Sequence, residues 1–204
     1  YGLSTIVSGL VMLAFLPFMS TWLDPDEAGE AGVLRILSEV FAGIIVLGLP
    51  VGIIRLWSRD GVSKRALMLK ALVWSLAAAV LVGAGVLAFS GRVGGLLHLT
   101  TSHGLLHAVL LGVGVALVQV ALTFHRASGR AGGYFWIQTA RGLSSLVLLP
   151  LLFLAGAGGI ASFLAARWIP ALLAALAAVI LALRFSPPGP GCASGLLQFS
   201  LPLL

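Results

Sequence analysis

Four ionisable side chains stand inside stretches that are otherwise apolar: Arg35, Glu39, Arg141 and Arg167. A charge at the centre of a bilayer costs about 2.5–3.5 kcal/mol on insertion scales, so each needs a reason. Arg35 and Glu39 are four residues apart, on one face of a helix. They suit a self-neutralising pair, which lowers the cost of burial. They equally suit a cavity wall in which Glu39 couples to an ion, H+ or Na+. Arg141 and Arg167 suit snorkelling to head groups, and Arg167, just before Pro170, can also reach a carbonyl freed by it. They also suit phosphate binding, since a guanidinium fork matches phosphate oxygens. Gln119 and Gln138 suit hydrogen bonds between helices. His103 and His107 are four apart with His98 near, but a metal site of that form adds a carboxylate, and none is close in sequence. No metal site is expected, and the histidines belong at the outer interface. The single Cys192 excludes an internal disulfide and a cysteine-rich metal site.

The elements that carry these residues are membrane spans. Of 204 residues, 60% are hydrophobic and 9% charged, where a soluble domain has roughly 25% charged. The mean hydropathy is +1.13. Runs of about 20 apolar residues recur, enough for a hydrocarbon core of about 30 Å. Strand-like alternation is absent, so helices satisfy the backbone. The expected class is all-α: six transmembrane helices plus the start of a seventh. The spans are placed at 2–23, 31–57, 66–89, 105–124, 134–154 and 160–185, with a seventh beginning at 196. An acidic loop at 24–30 holds Asp24, Asp26, Glu27 and Glu30, and a Gly-, Thr- and His-containing connector covers 90–104. Residues 1–185 form one domain, and 186–204 a linker with the start of the next helix. Residue 1 is Tyr and the chain closes on a helix just beginning, so it reads as a piece of a longer protein.

Lys and Arg fix the orientation. Loops after even-numbered spans hold Arg55, Arg59, Lys64, Arg65, Lys70, Arg126, Arg130 and Arg184, whereas those after odd-numbered spans hold Arg92. The N-terminus and the loops at 58–65, 125–133 and 186–195 are therefore expected in the cytoplasm, and the acidic loop outside. Trp22, Trp57 and Tyr134 near span ends fit an aromatic belt. The net charge of +6 sits at span ends, so it does not point to nucleic acid. Pro17, Pro50, Pro150, Pro170 and Pro202 fall in five spans. Each frees the carbonyl four residues earlier, and Pro50, Pro150 and Pro170 are candidate breaks or hinges. Gly112 with Ala116, and Gly83 with Leu87 less clearly, offer small-residue contact faces.

Five segments resemble the polysaccharide and lipid-linked oligosaccharide flippases of the multidrug/oligosaccharidyl-lipid/polysaccharide exporter superfamily. They are LDPDEAG (23–29), LGLPVGIIRL (47–56), ASGRAGGY (127–134), AGAGGIASFLAA (155–166) and LLQFSLPLL (196–204). Ala28, Ser20 and Thr21 depart from the pattern, which touches the substrate branch and not the fold. The resemblance implies a lobe of a two-lobed secondary transporter in the bacterial cytoplasmic membrane. It implies a polyprenyl-diphosphate-linked glycan as substrate, with membrane lipids and the C-terminal lobe of the same protein as partners. It casts Arg35, Arg141 and Arg167 as diphosphate contacts, Glu39 as the coupling residue and Gln119 as a group for sugar hydroxyls. No cofactor is implied. The only acidic cluster is expected outside and no Walker loop is present, so no catalytic residue is expected. A multidrug exporter of the same fold is one alternative, and a non-transporting scaffold for polysaccharide assembly is another.

Overall fold

The computed structural model describes residues 2–59, 62–97, 99, 103–156 and 158–185. The linker 186–195, the seventh span, His98, Cys192 and Pro202 lie outside the described residues. Within them are eight α-helices: α1 (Gly2–Trp22), α2 (Pro25–Val46), α3 (Leu49–Trp57), α4 (Lys64–Ala88), α5 (Ser90–Leu96), α6 (Gly104–Ala127), α7 (Ala131–Leu154) and α8 (Ile160–Phe185). Four of them, α4, α6, α7 and α8, are long and apolar enough to cross a membrane. The bent pair α2–α3 makes a fifth such span.

The acidic segment is helix, not loop. Asp24 caps α2 in extended backbone, Pro25 takes the first turn, and Asp26 and Glu27 follow. Proline suits a first turn because its missing N–H would be unpaired there anyway. The acids face the positive end of the helix dipole. The Asp24 N–H donates to Glu27 Oε2 at 3.4 Å. The connector at 90–104 likewise contains a helix, α5.

α2 and α3 meet at a real break. Leu47 has φ 38° and Gly48 φ 71°, both left-handed, and the two helix axes differ by 41°. Pro50 sits in the first turn of α3, where it restarts the helix. By contrast α7 and α8 continue as helices through Pro150 and Pro170. One proline removes one helix hydrogen bond, and a neighbouring helix holds the rest in place. Gly48 can reach its conformation without a side-chain penalty, which for other residues is about 1–2 kcal/mol. Gly48→Ala should therefore destabilise the protein by about 1 kcal/mol. Thermal unfolding in detergent checks this.

α6 is the spine of the bundle. It packs on α2, α3, α4, α7 and α8 and is the most buried of the long helices. Glycines permit the close approaches. A Cβ on Gly112 would lie 2.9 Å from Phe41 Cβ and 2.9 Å from the Ser38 carbonyl on α2. One on Gly114 would lie 2.9 Å from Ala171 Cβ on α8. Ala116 is fully buried, so the Gly112–Ala116 face makes contact as expected. The outer faces are apolar and exposed: Val73, Trp74, Val80 and Leu81 on α4, Trp136, Val147 and Leu151 on α7, and Leu173 and Leu176 on α8. Such a surface suits lipid.

The charges are polarised along the bundle. Trp57 meets Phe124 edge-on at 5.8 Å, and His125 Nε2 lies 3.3 Å from the Ala178 carbonyl. The ends of α3, α6 and α8 therefore cluster with the starts of α4 and α7. That end holds Arg55, Arg59, Lys64, Arg65, Arg126, Arg130 and Arg184. At the other end Trp22 stacks on Phe153 at 4.7 Å, and Trp168 Nε1 donates to His107 Nδ1 at 3.1 Å. This end holds Asp24, Asp26, Glu27 and Glu30, with Arg92.

Candidate functional site: a cationic cavity inside the bundle

The four intramembrane charges come from three separate helices, and all four line one cavity of about 430 Å³. α2 contributes Arg35, Ser38 and Glu39; α7 contributes Arg141 and Ser145; α8 contributes Arg167. α1 closes one side with Phe15, and α6 adds Gln119. The cavity lies among helices of this chain.

Local geometry explains how each charge is held. Arg35 Nε donates to Glu39 Oε1 at 3.3 Å, the i,i+4 spacing that stacks side chains on one helix face. The pair is not deeply buried: its side chains are 32% and 62% exposed. In this position it can offer both a fork and a carboxylate to a solute. Arg167 is gripped by aromatics. Its Cζ lies 5.1 Å from the Phe15 ring centroid and 5.5 Å from that of Phe163. The two rings meet edge-on at 5.9 Å and 88°. A cation against a ring face gains about 0.5–2 kcal/mol, the larger value when desolvated. The rings fix the position of the guanidinium without taking up its N–H donors, so these can still serve an anion. Arg35, Glu39 and Arg141 face the same cavity as Arg167. Three arginines and one carboxylate give the site a net positive potential, which attracts anions.

The hydroxyls of the lining are satisfied within their own helices. Ser38 Oγ donates to the Arg35 carbonyl at 2.6 Å, and Ser145 Oγ to the Arg141 carbonyl at 3.0 Å. Each keeps lone pairs for a solute donor. Gln119 and Gln138 line the same cavity. Sequence reasoning missed Phe15, Phe163, Ser38 and Ser145. Phe163 was findable, since it precedes Arg167 by four residues on the same helix face. Phe15 reaches Arg167 only through tertiary packing, and no local signal marks it.

Pro50 lines a second, adjoining cavity. Pro170 is buried beside the first, next to Ala171 in its wall. Pro150 lines neither of these two cavities. His107 already accepts from Trp168, and His103 stands exposed at the start of α6. Among the described residues no three of His, Cys, Asp or Glu come together.

The helices and the cavity define a class: a polytopic helical membrane protein with a cationic internal site. No family model matches the chain, and neither the curated proteins nor the solved structures give a match.

Proposed function

We propose that the chain is the N-terminal lobe of a secondary-active transporter that moves a polyprenyl-diphosphate-linked oligosaccharide or polysaccharide precursor across the bacterial cytoplasmic membrane. The observation that carries this reading is the convergence of Arg35, Arg141 and Arg167 on one cavity. A diphosphate has the charge and the oxygen geometry that arginine forks bind. The resemblance of five segments to flippases supplies the glycan as the cargo. In this reading α1, α2–α3, α4, α6, α7 and α8 are six spans. The cation-rich end and the N-terminus are cytoplasmic. Glu39 exchanges Arg35 for H+ or Na+ and so couples transport to an ion gradient. The C-terminal lobe of the full-length protein and the surrounding lipids are its partners, and rocking of the lobes passes the head group outward.

A scaffold has no use for three arginines gathered around an open volume within its spans, since charge placed there costs energy without return. A multidrug exporter for cationic drugs calls for acidic lining, and here the one carboxylate is matched by Arg35. The test is the double variant Arg35→Ala, Arg167→Ala in the full-length protein. Export of lipid-linked glycan should be lost at normal expression. Wild-type export from a normally expressed double variant overturns the assignment.

A further inference from the structure

The second cavity, about 350 Å³, lies along the same helices toward the cation-rich end. It is lined by Pro50, Thr123, Arg126, Tyr134, Gln138 and Arg141 among others. Gln119, Gln138 and Arg141 belong to both cavities. Arg141 is therefore a shared wall with a basic group on each side. Across the α6–α7 hairpin, Arg126 Nη2 donates to the Tyr134 hydroxyl at 3.3 Å. The Arg126 guanidinium also lies 5.3 Å from the Tyr134 ring centroid. A guanidinium has five N–H donors, so the tyrosine fixes Arg126 without exhausting it. Pro50, in the first turn of α3 just after the break from α2, forms part of the wall. Volume, two arginine forks and amide and hydroxyl donors together are what a phosphate-bearing solute needs.

We propose that this second cavity is a separate inner binding site for a phosphoryl anion, held by Arg126 and Arg141 and organised by Tyr134. An anion arriving at the cation-rich end meets Arg126 first, passes to Arg141, and then reaches Arg167 and Arg35. The relay direction rests on the transporter reading above; the inner site itself does not. The same phosphate chemistry is offered by a diphosphate from the aqueous side and by the head group of a bilayer lipid.

The test is calorimetry on the full-length protein in phosphatidylcholine nanodiscs, titrated with inorganic pyrophosphate. Wild type should bind at two sites. Arg126→Gln should weaken one of them by about 10-fold or more, the scale for removing a hydrogen bond to a charged group, and leave the other intact. The double variant Arg35→Gln, Arg167→Gln should do the reverse. Tyr134→Phe, a conservative change that keeps the packing, should weaken only the inner site by about 2- to 10-fold. A single site that disappears in the double variant and ignores both Arg126→Gln and Tyr134→Phe overturns the inner site and leaves the proposed function standing. A single site that disappears with Arg126→Gln and ignores the double variant upholds the inner site and overturns the proposed one. Absence of binding overturns both. A second series adds phosphatidylglycerol to the discs. Loss of the inner pyrophosphate site there upholds the site and assigns it to a lipid head group, and its persistence upholds the site and assigns it to a diphosphate from the aqueous side.

Discussion

Replacing Gly112 or Gly114 with leucine should abolish the folded bundle. A Cβ at Gly112 already falls 2.9 Å from a backbone carbonyl oxygen and 2.9 Å from Phe41 Cβ, and one at Gly114 falls 2.9 Å from Ala171 Cβ. Backbone and Cβ atoms cannot turn aside as the end of a long side chain can. Adding methylenes to a filled core costs about 1–3 kcal/mol and sometimes more, so alanine at either position should cost about that much. Leucine adds three further carbons against α2 or α8. The cost then becomes a large part of a total stability of about 5–15 kcal/mol. Gly43 is the control: it lies inside α2 with nothing within 4 Å of an added Cβ. Gly43→Ala should be neutral or stabilising by up to about 1 kcal/mol. Thermal unfolding and size-exclusion profiles of the full-length protein in detergent distinguish these cases. Gly112→Ala and Gly114→Ala proteins as stable as Gly43→Ala would rule out the close approach of α6 to its neighbours.

The second large effect belongs to Arg141. It is the one charged residue common to the two cavities. Arg141→Ala should weaken pyrophosphate binding at both, where every other arginine variant weakens one. Truncating one partner of a buried charged hydrogen bond costs about 2–5 kcal/mol, so the loss should reach about 30-fold or more at each site. Arg141→Lys keeps the charge but not the planar fork, and should recover only part of the affinity. Full recovery with lysine would mean that charge alone matters there. An Arg141→Ala protein with both sites intact would remove Arg141 from the wall.

The sequence reveals the spans of this fold better than their starts. The sixth expected span, 160–185, coincides with α8, Ile160–Phe185, because a glycine-rich turn precedes a long and mostly apolar run. The acidic segment reads as a loop in sequence because its charges lower the local hydropathy. Yet Asp24-Pro25-Asp26-Glu27 is a helix-start pattern, with a capping residue, a first-turn proline and first-turn acids, and it could have been read as one. α5 was hidden by its three glycines in SGRVGGL, since glycine is a poor helix former. For the site, the sequence identified each intramembrane charge singly, because charge in an apolar run is conspicuous. It could not show that Arg35, Arg141 and Arg167 meet, because helix periodicity fixes faces and not neighbours. The grip of Phe15 on Arg167 was out of reach for the same reason.

Gly112 and Gly114 are two residues apart, about 200° around a helix, so they point to opposite sides of α6. α2 is seated on one and α8 on the other with no clearance. Arg35 lies one turn before the Ser38–Phe41 contact, and Arg167 one turn before Ala171. The spacing of the α2 and α8 backbones that carry Arg35 and Arg167 is therefore set by the bare backbone of α6. A larger residue at Gly112 or Gly114 would push α2 or α8 outward and so move the helix that carries Arg35 or Arg167.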